Sequence, residues 1–69
     1  MSDFTKDEEM MLLFYGADTK KEFLANIRAM QECLLPDERR LRRLSDSVLR
    51  KVEAMNEDEF ARRMRNAGL

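Results

Sequence analysis

Apolar positions fall into four groups along this chain, and a helix-start signal precedes each group. Thr5 with Glu8, Thr19 with Glu22, and Asn56 with Glu59 each set a cap residue three positions before a glutamate. That spacing permits a capping box. The cap side chain accepts from the backbone N–H three residues on, and the glutamate returns to the cap's own N–H. Pro36 gives a fourth start, because its fixed φ and missing N–H suit a first helical position. Asp37 and Glu38 would then lie in the first turn, where the helix dipole favours negative charge. Gly16 and Gly68 stand where helix C-caps are wanted.

These signals predict helices over 6–15, 20–34, 37–55 and 57–66. In the second, Phe23, Ile27, Met30 and Leu34 form one stripe at helical spacing, widened by Leu24. Cys33, on its flank, is expected to be a small buried hydrophobe. Leu35-Pro36 ends that helix, since the residue before a proline is pushed out of helical geometry. In the third, Leu41, Leu44, Val48, Val52 and Met55 make a narrow stripe, extended by Leu49. In the fourth, Phe60 and Met64 point inward, and Met55 and Phe60 have the spacing of a hydrophobic staple. The expected fold is all-α, a small helical bundle of three main helices plus a short C-terminal helix, in one domain spanning 1–69. Short connections favour antiparallel neighbours.

The first helix departs from this amphipathic pattern. Met10, Met11, Leu12, Leu13, Phe14 and Tyr15 are contiguous, so apolar groups surround the axis. Such a helix is normally buried on every side, which is hard to arrange in 69 residues. Either it fills the bundle centre with Tyr15 and one Met partly exposed, or a second chain covers the remaining face. The second possibility marks Met10, Met11, Phe14 and Tyr15 as a candidate interaction surface, and a homodimer as the simplest closure.

Charge is unevenly distributed. Residues 1–38 carry four basic and nine acidic side chains, and residues 39–69 carry nine basic and five acidic. Around the third helix, Arg39, Arg40, Arg43, Arg50 and Lys51 form a basic stripe opposite the apolar one. Such a stripe can lie along phosphates. It can also be a solvated face. Glu38–Arg42, Asp46–Arg50, Asp58–Arg62 and Glu59–Arg63 all have the favourable i,i+4 order for local ion pairs. The pI near 5.4 is atypical of a dedicated DNA-binding domain.

Composition narrows the chemistry. Cys33 is the only cysteine and histidine is absent, so neither an internal disulfide nor a zinc site is expected. No nucleophile has a base beside it, and two glycines make no phosphate cradle. The triplets Asp7-Glu8-Glu9 and Glu57-Asp58-Glu59 lack calcium-loop spacing. The expectation is a protein with no catalytic residues, no metal and no cofactor, and so not an enzyme. The first residues lack the pattern of a signal peptide, and the longest apolar run is far short of a membrane span. A cytoplasmic location without membrane association is expected. The 43% apolar share argues against a disordered tail.

Several segments resemble small accessory proteins of the conjugative transposons of gut clostridia, the TnpW type. They are Ser2-Asp3-Phe4-Thr5-Lys6-Asp7-Glu8, Leu35-Pro36-Asp37-Glu38, Asp46-Ser47-Val48-Leu49 with Lys51, and Met55 through Glu59-Phe60-Ala61. The resemblance spans most of the chain. It implies a cytoplasmic, non-enzymatic protein of a mobile genetic element, with no active site to carry over. The leading expectation is therefore a non-catalytic protein-interaction module, accessory or regulatory, whose partner is itself or another protein. The alternative is a small DNA-binding regulator that lays its third helix against phosphates through Arg39, Arg40, Arg43, Arg50 and Lys51.

Overall fold

A computed structural model describes residues 4–67. Four helices follow in order: α1 Lys6–Phe14, α2 Lys20–Glu32, α3 Arg39–Glu53 and α4 Glu57–Ala67, with no strand among the described residues. The all-α bundle is the one expected. α4, anticipated as the short element, has eleven residues, while α1 has nine.

Local chemistry explains the starts. Thr5 Oγ1 accepts from the Glu8 N–H, and Glu8 Oε1 accepts from the Thr5 N–H at 2.8 Å, which completes the first capping box. Asn56 and Glu59 complete another, with arms of 2.8 and 2.9 Å. Thr19 is a half box. It accepts from the Glu22 N–H, but Glu22 turns to the Thr19 hydroxyl instead of its backbone.

The third helix begins later than its sequence suggests. Pro36 and Asp37 form a turn, Glu38 is the cap, and no side chain caps α3. Glu38 instead accepts from the Leu35 N–H at 3.1 Å, which stabilises the turn and draws its carboxylate away from the helix. α2 likewise stops at Glu32, with Cys33 as its C-cap. That leaves Cys33 exposed and not buried as expected. Leu34 lies beyond the helix, so the last member of the α2 stripe reaches the bundle only partly.

The stripes converge on one core. Leu12, Phe23, Ile27, Val48, Val52 and Phe60 are fully buried, and Met30, Leu41, Leu44, Leu49, Met55 and Met64 pack around them half-exposed. Each full burial of such a side chain contributes about 1.5–3 kcal/mol before chain entropy is counted. Phe23 and Phe60 meet with ring centroids 5.6 Å apart, tying α2 to α4. α3 packs on both α1 and α2, and α4 closes against the same two helices.

Gly16 does not cap α1 through a left-handed conformation, since no glycine among the described residues has positive φ. A close approach explains it better. A Cβ at Gly16 would stand 2.9 Å from Met64 Cε and 3.1 Å from the Leu12 carbonyl oxygen. Gly68 lies outside the described residues. At the other end of the bundle Lys20 donates to the Met55 and Glu53 carbonyls at 2.7 and 3.1 Å, covering the exposed end of α3.

Candidate interaction face between α1 and α3

The acidic and basic halves of the chain fold onto each other, and this decides which charges remain available. Glu8 is only 2% exposed. Its Oε1 pairs with Lys51 Nζ at 2.7 Å, and its Oε2 accepts from Ser47 Oγ at 2.5 Å. Burial alone would push this carboxyl upward. The bonds from Lys51, Ser47 and the Thr5 N–H outweigh it and lower its pKa from 4.5 to about 2. Glu9 pairs with Arg63 of α4, and Glu53 of α3 pairs with Arg28 of α2 at 3.0 Å. Phe4 lies beneath Lys51 and Arg63, whose cationic groups sit 5.4 and 5.1 Å from its ring centre.

Lys51 therefore does not stand free to meet phosphate; it is committed to α1. Ser47, one turn before Lys51, likewise turns inward to Glu8. Arg63, expected to pair along its own helix, crosses to Glu9. Asp46 accepts from Gln31 at 2.7 Å, and Arg42 donates to the Gln31 carbonyl, so those groups bind α3 to α2. No carboxylate among the described residues pairs with Arg39, Arg40, Arg43 or Arg50, and all four are exposed.

The apolar run of α1 is divided by its position. Met11 and Leu12 face the core, so Met11 lies beneath the candidate surface and is not part of it. Met10, Leu13 and Phe14 remain 61%, 52% and 82% exposed. Tyr15 is half-buried. It stands edge-on to Phe14, with ring centres 5.1 Å apart, and its carbonyl accepts from Asn26. Met10 meets Leu13 and Phe14 across i,i+3 and i,i+4 spacing, so the three form one patch.

A shallow groove runs beside this patch. Met10, Met11, Phe14 and Tyr15 line one wall at its apolar end, and Leu41 and Leu44 line the other. It continues along Asp7 to a wider end edged by Arg40, Arg43 and Ser47. The face is thus an apolar strip with an arginine lip. Its shape suits a hydrophobic side chain flanked by carboxylates. Two features were not read from sequence: the Glu8–Ser47–Lys51 network, and Leu41 and Leu44 as groove walls. The first had no local signal, since Glu22 and Glu59 stand at the same spacing from their caps as Glu8 and are exposed.

Among the described residues, no three His, Cys, Asp or Glu side chains are grouped to hold a metal ion, and no helix is long and apolar enough to cross a membrane. Residues 4–65 match a family model described as "Putative transposon-transfer assisting protein" (TTRAP). The matched span runs from the first described residue through most of α4. No curated protein and no solved structure matches the chain.

Proposed function

Since the chain belongs to the family of transposon-transfer assisting proteins, we propose that it assists transfer as a non-catalytic cytoplasmic binding module acting through the α1–α3 face. The observation that carries this reading is Phe14, 82% exposed at the C-terminal end of α1 beside exposed Met10 and Leu13, on a helix whose Glu8, Met11 and Leu12 are buried. A large ring held in water by a well-packed helix gains from any partner that removes it from water. Aromatic residues in such positions often dominate the energy of an interface.

The experiment is a mating assay with the native element carrying Phe14→Asp. That side chain is not part of the core, so the variant should keep its helical circular dichroism. Loss of one anchor should lower transfer by about tenfold or more. Transfer equal to wild type, in a setting where deleting the gene impairs it, would remove the face from the function.

One observation favours a second reading, in which α3 contacts nucleic acid. Arg39, Arg43 and Arg50 share the outer side of α3, and no carboxylate among the described residues pairs with them. A gel-shift titration across salt concentrations tests it. Changing Arg39 and Arg43 to Ala should flatten the salt dependence by about two ions. No binding at low salt would end this reading.

A further inference from the structure

We propose that the α1–α3 groove takes an amphipathic helix of a partner protein, with two apolar side chains one turn apart and an aspartate or glutamate a turn beyond them. This rests on the reading of that face as the binding surface and names the chemistry of its occupant.

The two ends of the groove ask for different groups. At one end Leu41 and Leu44 stand across from Phe14 and Met10, which are 82% and 61% exposed. Apolar side chains laid between these walls remove both from water. At the other end Arg40 and Arg43 line the groove with Asp7 and Glu8. Glu8 is already neutralised by Lys51. Neither arginine forms an ion pair among the described residues, and nor does Asp7. Two guanidinium groups against one available carboxylate leave this end positive, so it favours an acidic side chain.

Spacing then selects a helix. Phe14, Met10 and Asp7 follow one another along α1 at four and three residues. Phe14 and Asp7 are two helical turns apart, about 10 Å. A partner helix with apolar residues at i and i+4 and a carboxylate at i+7 repeats that spacing, which is the usual pattern of helix-in-groove binding. Both walls are helices and the described residues contain no strand, so no open edge offers backbone pairing to an extended segment. Nucleic acid fits the groove poorly. Its phosphates would meet Asp7, and Arg39 and Arg50, on the outer side of α3, do not line the groove.

Fluorescence anisotropy with designed peptides tests the proposal. Two labelled alanine-rich peptides of about 16 residues carry leucine at i and i+4 and aspartate at i+7, one for each chain direction. At about 0.15 M salt one of them should bind the protein with a Kd of about 10–100 µM, as a small face with two apolar anchors and one ion pair allows. Phe14→Asp, and Arg40→Glu with Arg43→Glu, should each weaken binding about tenfold or more. Arg39→Glu with Arg50→Glu, outside the groove, should leave it within about threefold. Lysine in place of the peptide's aspartate should reverse the preference, binding the variant with Arg40→Glu and Arg43→Glu better than wild type. Circular dichroism checks that each variant is folded. No binding by either peptide, or an equal loss with Arg39→Glu and Arg50→Glu, overturns the proposal. So does binding of a DNA duplex that Phe14→Asp abolishes, which gives the groove to nucleic acid. Self-association in sedimentation equilibrium that Phe14→Asp abolishes overturns it too, and gives the groove to a second copy. If neither peptide binds but Phe14→Asp still lowers transfer, the face keeps its role and the chemistry assigned to its partner falls. If a peptide binds as described but Phe14→Asp leaves transfer intact, the groove's specificity stands and the functional reading falls.

Discussion

Replacing Glu8 with Gln keeps the shape of the side chain and removes its charge, which isolates what ionisation adds to this fold. In the native chain the carboxylate is buried and accepts from Lys51, Ser47 and the Thr5 N–H. Its pKa falls from 4.5 to about 2. A lowered folded-state pKa means that the ionised form stabilises the native state. That stability is complete above the unfolded-state value of 4.5 and is lost as pH falls toward 2. The shift corresponds to roughly 3 kcal/mol. A domain of this size has a total stability of only about 3–10 kcal/mol. Glu8→Gln should therefore lose roughly 3 kcal/mol at pH 7, or roughly 10–20 °C in Tm. Urea unfolding followed by circular dichroism at pH 7, 4 and 2.5 measures this. The gap between variant and wild type should shrink as pH falls, to roughly a quarter of its pH 7 size at the lowest value. A gap that is constant with pH, or below about 0.5 kcal/mol at pH 7, would show that Glu8 does not couple α1 to α3 through its charge.

Phe23→Ala empties the centre of the core and should cost about 3–5 kcal/mol, enough to leave much of the chain unfolded by circular dichroism at 37 °C. Asn56→Ala removes one arm of the α4 capping box and should cost about 1 kcal/mol in urea unfolding, whereas Asn56→Gly should cost only a few tenths. Gly16→Ala should lower Tm by a few degrees. Met64 can swing away from the new methyl group, but the Leu12 carbonyl belongs to the backbone of α1 and cannot. Cys33 should react with a maleimide in the native protein at nearly the rate of a free thiol; slow labelling that quickens only in urea would place it back in the core.

The helical periods made the fold legible. Phe23 and Ile27, and Val48 and Val52, repeat at the spacing of a helix turn, and all four are fully buried. The capping pairs marked three of four starts. The start of α3 was misread because Pro36 is equally suited to a helix and to a turn, and the choice was made by Glu38 bonding back to Leu35. Cys33 followed the same error, since a stripe carried one turn too far buries the residue beside it. Exposure of Met10 and Phe14 was legible as one of two possibilities, because an all-apolar helix must leave some face uncovered. Which side faces water depends on how α3 and α4 dock, and that rests on pairings such as Glu8–Lys51 and Glu9–Arg63, more than forty residues apart in sequence. No local pattern encodes those partners. The basic stripe showed the same limit: Lys51 was grouped with the arginines by helical angle, yet it is drawn to a carboxylate on another element.

The account turns on the α1–α3 face being where this protein associates, and the methionine methyl groups report on it directly. Met10 is largely exposed beside Phe14, whereas Met11, the next residue, is buried. Methyl NMR of selectively labelled protein, titrated with the leucine–aspartate peptide from about 10 µM to 1 mM, should show the Met10 signal moving with concentration as the peptide covers the face. The Met11 signal should stay in place. A Met10 signal that does not move over that range would exclude that peptide from this face, and an equal response at Met11 and at Met30 on α2 would contradict the assignment of the face itself.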